Sequence, residues 1–170
     1  MTSFVFEIRG QSADTIINNI EKDYQRGDFG QAIQKIKTQL KSDTTTKNLI
    51  YYYNRLGGMY YNIGEMDSAL YFADNAVRLD KNSGQGNLTR ALILSWKQKY
   101  KEALNDINTA IKYRPECAIC YHMRAYLYRH LKNKKLAKLD LEKTKELALK
   151  INDQGLYKAA DDELKNFENW

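Results

Sequence analysis

One proline, two cysteines and two histidines are all this chain carries of those types. The scarcity of proline favours long helices over turn-rich β structure. Cys117 and Cys120 lie three residues apart, so they build no disulfide framework of the secreted kind. With His122 and His130 as the only histidines, a zinc site lacks ligands at matching spacing. Cys120, His122 and His130 also fall on differing faces of one helix. The expectation is a pair of structural thiols at a helix start, with no metal and no cofactor. No run approaches the apolar length that spans a bilayer. The N-terminus has no basic segment leading into an apolar core, so a cytoplasmic protein without membrane contact is expected.

The same thinness extends to catalytic patterns. No glycine-rich phosphate loop follows a strand. No Ser/His/Asp set or carboxylate pair can be placed, and Asp161, Asp162 and Glu163 point in different directions because they are consecutive on a helix. The net charge is +6, from 27 basic and 21 acidic residues. It is spread along the chain and permits an acidic partner without requiring one. The run Arg129 to Lys138 is the densest basic stretch, and a solvated loop and helix end is its ordinary reading.

What is present is a register. Ala69, Ala103 and Ala137 are spaced 34 residues apart, as are Gly57, Ala91 and Ala125, and Tyr60, Leu94 and Tyr128. A period of this length with small residues at fixed places marks a helix–turn–helix repeat. The units run 50–83, 84–117 and 118–151, preceded by a degenerate copy over 13–49. Gly64 marks the turn inside the second unit, and Gly27-Asp28-Phe29 the turn inside the first. Pro115 falls at an inter-unit turn. Three residues are inserted in the Ser42–Lys47 loop of the degenerate copy. The small residues let paired helices approach, and larger ones beside them fill the space between units. A unit of this kind cannot bury its apolar face alone, so neighbours must stack and the open end needs a cap.

Residues 152–170 supply that cap, with Leu156, Ala160, Leu164 and Phe167 on one helical stripe. Residues 1–12 form an arm in which Phe4, Phe6 and Ile8 alternate with polar or smaller positions, a weakly strand-like pattern.

These residues resemble the tetratricopeptide repeat over positions 13 to 151. Tyr53, Leu56-Gly57 and Tyr60 match its first helix; Ala103, Ile107, Ala110 and Pro115 match its second. Arg90 and Arg124 depart from the pattern where it has leucine. Thr144 replaces the last alanine, and Lys81 and Leu149 replace the proline. The resemblance implies an all-α, right-handed α-solenoid with a C-terminal capping helix. It also implies a concave groove lined by the first helices.

At 100° per residue, Leu88, Leu92, Ser95 and Trp96 gather on one side of the third unit's first helix, with Gln85 at their edge. The same positions in the fourth unit are Ile119, His122, Met123, Tyr126, Arg129 and His130. In the second they are Tyr51, Asn54, Arg55, Gly58, Tyr61 and Asn62. Aromatic, methionine and arginine side chains are enriched at protein interfaces. The face therefore suits a peptide or protein partner, as a non-enzymatic adaptor or scaffold. The cap or the arm lying on this same face is the structural alternative.

The family's clamp for a peptide's terminal carboxylate needs Lys and Asn on successive first helices. Asn54, Gly58, Thr89, Ile119 and Met123 stand there instead, and Ile17 and Glu21 do not rescue it. A second function class is an immunity protein that neutralises a partner enzyme, suggested by the small size without a catalytic domain. A nucleic-acid-binding adaptor using the basic run ranks behind both, because charge alone is a weak footprint. Self-association through the groove or the open end of the stack is a further option.

Overall fold

The computed structural model describes residues 13–42 and 45–167, and every regular element among them is an α-helix. In chain order these are α1 (Ala13–Arg26), α2 (Phe29–Gln39), α3 (Thr46–Asn62), α4 (Met66–Leu79), α5 (Gly84–Trp96), α6 (Tyr100–Tyr113), α7 (Ala118–His130), α8 (Lys134–Lys150) and α9 (Gln154–Lys165). Each helix packs most heavily on its sequence neighbour, and α3, α5 and α7 also touch in series. The result is an all-α helical-repeat solenoid. The arm of residues 1–12 lies outside the described residues.

Small residues set the helix spacing. Ala69, Ala91, Ala103, Ala125 and Ala137 are fully buried, and Gly57 is buried with them. A methyl group added to Gly57 would sit 3.4 Å from the Ala73 nitrogen, so two helix backbones come together at this point. Larger side chains fill the wedges on either side. Ile16, Ile20, Ile36, Tyr52, Leu56 and Met59 join α1, α2 and α3. Leu88, Leu94, Ile107 and Leu127 join α5, α6 and α7. At the far end Ala160 of α9 packs on Ala125 and Leu141, with Leu164 beside them, so α9 covers the last pair.

The turns inside the helix pairs share one geometry. The amide of Glu65 donates to the Tyr60 carbonyl (2.9 Å), Lys99 to Leu94 (2.8 Å) and Asn133 to Tyr128 (2.8 Å). This closure needs a residue in the left-handed region. Gly64 meets it at φ 84°, but Gln98 and Lys132 meet it at φ 59° with full side chains.

The two arginines that break the leucine pattern are explained by their partners. The Arg90 guanidinium donates to both carboxylate oxygens of Asp106 at 2.7 Å and to Asp74 at 3.2 Å. Arg124 repeats this on Asp140 (2.7 and 2.8 Å) and Asn108 (2.9 Å). All three positions recur at the 34-residue interval, so each arginine ties its own unit's second helix to that of the unit before. Asp106 and Asp140 are buried. A buried carboxylate stripped of its partner is costly.

Cys117 and Cys120 correct the expectation of separate thiols: they form a disulfide. Cys117 caps α7 and Cys120 lies one turn on. Their Cα atoms are 5.3 Å apart, within bridging range. Both are buried beside Leu88 and Met123 at the corner joining α6 to α7.

Arg124→Leu, which restores the pattern's leucine, should therefore destabilise the fold by about 3 kcal/mol in urea unfolding, because Asp140 stays behind uncompensated. Adding Asp140→Leu should recover most of that loss. A neutral single variant would contradict the clamp.

Candidate partner-binding face

The residues singled out on the first helices occupy equivalent positions on α3, α5 and α7, but their environments differ. On α3 the Tyr51 hydroxyl donates to Glu21 of α1 at 3.1 Å, and Arg55 pairs with the same carboxylate. Burial and the nearby Glu21 charge push the Tyr51 phenol up to about 12. The Arg55 guanidinium also lies 4.9 Å over the Tyr24 ring. Tyr61 is half-buried against Ala69, Ala73 and Ile93. Asn54 turns its Oδ1 towards α5, where a methyl on Gly86 would come within 3.2 Å of it. That oxygen is buried without a hydrogen-bond partner among the described residues.

On α5 the side chains diverge. Leu88 is only 5% exposed and belongs to the core with Ala91 and Ile107. Leu92 packs on that core from the half-buried edge, and Trp96 stands 60% exposed at the helix end. On α7 Met123 is 9% exposed and joins the same core, while Ile119 is 44% exposed. Leu88 and Met123 are thus packing residues rather than presented ones. The angular reading counted both among the groove residues, but they pack with Ala103, Ile107 and Ala110 of α6.

The fourth unit's polar residues are partnered by the cap. His122 Nε2 lies 2.8 Å from Glu163 of α9, and Arg129 reaches the same carboxylate at 3.5 Å. The His122 hydrogen bond, followed by the nearby positive charge, holds the Glu163 carboxyl below the ordinary carboxylate range. The guanidinium of Arg129 also lies 5.4 Å from the centre of the Tyr126 ring. His130 sits between two rings, 4.5 Å from Tyr100 and 4.4 Å from Tyr126. Burial, then the Arg129 charge, lowers its pKa below the ordinary imidazole value.

The cap meets the face through Glu163, while Trp96 and Ile119 are exposed and Leu92 and Tyr126 are half-buried. Tyr100, Glu21 and Glu163 were not anticipated. Glu21 is register-equivalent to Gly58 across the three-residue insertion, so the repeat did not point to its pairing with Arg55. Glu163 and Tyr100 carried no signal either. Among the described residues, no group of three or more His, Cys, Asp or Glu side chains is arranged to hold a metal ion. No helix among them is long and apolar enough to cross a membrane.

No family model matches the sequence, and no curated protein does. Solved structures do match the fold. A tetratricopeptide repeat protein from Parabacteroides merdae superposes with a TM-score of 0.70 at 22% identity, covering 94% of this chain and 61% of that one. A MamA double mutant gives 0.67 at 16% identity, covering 94% of this chain and 96% of that one. The TPR2B domain of yeast Sti1 gives 0.66 at 17% identity, with 71% and 97% covered. The fold is that of the tetratricopeptide repeat. In this tetratricopeptide-repeat stack, successive first helices carry equivalent positions side by side, which is why Leu92 and Tyr126 are neighbours in register.

The contact of α9 with α7 gives a pH-dependent test. Because the Glu163 pKa is lowered by folding, its contribution is complete above the unfolded carboxylate value. It fades as pH falls through the lower folded value. Glu163→Gln should lower the melting temperature by about 3 °C at neutral pH, equivalent to about 1 kcal/mol. It should also remove that share of the acid sensitivity. An unchanged acid profile would contradict the docking role.

Proposed function

We propose that this protein is a non-enzymatic interaction module that captures a protein or peptide on the face shared by α3, α5 and α7. The observation that carries the reading is Trp96, left 60% exposed beside half-buried Leu92 and register-matched to the His130 ring. A large aromatic held in the open on a rigid helix is the kind of side chain that dominates interface energetics. Ile119 and Tyr126 extend the apolar strip onto α7. The charges within the face, Arg55 with Glu21 and Arg129 with Glu163, are neutralised internally. The centre of the face therefore suits an uncharged, apolar stretch of the partner. The fold supports the same reading, since superhelical repeat stacks create extended binding surfaces. The matching Sti1 domain was solved in complex with pHsp70. The absence of the carboxylate-clamp residues here makes a different partner chemistry part of this proposal.

The test begins with affinity capture from the source extract and identification of the retained protein by mass spectrometry. Leu92→Ala combined with Trp96→Ala should leave the helical circular dichroism intact and weaken capture of that protein by about 30-fold or more. Capture at unchanged affinity would overturn the assignment of this face.

A further inference from the structure

The edge of the solenoid that carries the turns within the helix pairs is built differently in successive units. In the second unit it reads Gly64, Glu65, Met66, Asp67. The equivalent positions in the third unit are Gln98, Lys99, Tyr100, Lys101, and in the fourth Lys132, Asn133, Lys134, Lys135. The second unit makes the locally favourable choices: glycine in the left-handed position, and an acid at the positive end of the following helix. The later units give up the glycine, and the fourth gives up the acid as well, whereas α6 keeps Glu102 in its first turn beside Lys101. Gln98 and Lys132 hold left-handed φ with full side chains, and Lys134 and Lys135 occupy the first turn of α8, which has no acid. Local rules broken in this way mark a site where something other than folding sets the residue.

These residues also surround a feature. Between the two turns lies a hollow of about 330 Å³ lined by Gln98, Lys99, Tyr100, Lys101, Glu102 and Leu131. Its Tyr100 wall stacks on His130, which leads directly to Tyr126 and the apolar face. Lys101, Lys132, Lys134 and Lys135 are exposed, and none pairs with a carboxylate among the described residues.

We infer that this lysine edge, continuous with the Trp96–Tyr126 strip, receives an acidic protein segment. Its apolar side chains lie on the strip, and its carboxylates lie against Lys101, Lys132, Lys134 and Lys135. The inference rests on the interaction face proposed above and adds the sign of the partner. Because the charges inside the face are already matched, the edge alone decides that sign. A protein segment is favoured over nucleic acid because Glu102 shares the hollow and Ile119 and Leu92 are aliphatic, whereas a phosphate backbone is best met by a continuous basic track.

The test uses fluorescently labelled short peptides on the full chain. One interleaves Glu with Leu and Phe; the others carry Gln or Lys in place of Glu; a single-stranded oligothymidylate is the fourth probe. The acidic peptide should bind best and weaken as salt rises. Lys132→Glu with Lys135→Glu should cut its affinity by about tenfold or more. Lys132→Gly should raise the melting temperature by about 3 °C while weakening the same binding, a split that a purely structural lysine would not produce. Equal binding of the Gln or Lys peptide, no binding of the acidic one, or indifference to the double reversal overturns the inference. Tighter binding of the oligonucleotide overturns it in favour of nucleic acid. If the lysine variants weaken the acidic peptide but Leu92→Ala with Trp96→Ala does not, the edge stands and the apolar face falls. If the Gln peptide binds as tightly and depends on Trp96, the face stands and the edge falls.

Discussion

The close approach of helices at Gly57, Ala91 and Ala125, against Ala69, Ala103 and Ala137, is the constraint on which the structure depends. At these points there is no room for a longer side chain, so axis separation is fixed by backbone and methyl contact. Once the separation is fixed, the remaining positions sort themselves. Leu94, Ile107 and Leu127 fill the gaps between pairs. Arg90 and Arg124 reach the buried Asp106 and Asp140 at matching distances because the same helix spacing recurs. The side of α3, α5 and α7 turned away from their second helices is left over. On that side Glu21 of α1 and Glu163 of α9 pair with Arg55, His122 and Arg129, while Trp96 at the end of α5 stands 60% exposed.

Much of this was legible from the residues. The 34-residue interval exposed the helix pairs, Gly64 and Gly27 exposed two turns, and the stripe through Ala160 and Leu164 exposed the cap. The individual environments on the exposed face were less legible. An angle of 100° per residue separates two faces of α5 but does not say how far the neighbouring helix extends over their boundary. Leu88 and Met123 sit at that boundary and are covered. Their neighbours Leu92 and Tyr126 are only partly so. The arginine departures could have been resolved from the sequence, since Arg90, Asp106 and Asp74 recur as Arg124, Asp140 and Asn108. The contact of Glu163 with His122 could not, because it depends on how α9 seats. The disulfide depends on where α7 starts: Cys117 at the cap and Cys120 one turn later are close enough to join. Such a bridge is rare in reducing compartments, a physical consideration set against the expectation of a cytoplasmic location.

Electrostatics divide the molecule into a quiet interior and a biased edge. Within the face, every arginine named here has found a carboxylate on another helix. The turn edge of the later units instead gathers Lys101, Lys132, Lys134 and Lys135, none of them paired with a carboxylate among the described residues, with Lys132 at a left-handed φ. This division separates two roles. The apolar strip supplies burial, and the edge supplies sign and orientation.

The most direct measurement follows the Trp96 indole by nuclear magnetic resonance in a Trp170→Phe background, where it is the only tryptophan. Adding the captured partner should shift and broaden the Trp96 Nε1–H signal together with the amides of Leu92, Tyr126 and His130. The amides of α4 and of the C-terminal halves of α6 and α8 should stay in place. A complex in which the Trp96 signal does not move, while residues on α4 or the C-terminal halves of α6 or α8 do, would place the binding surface on the opposite side and contradict the account.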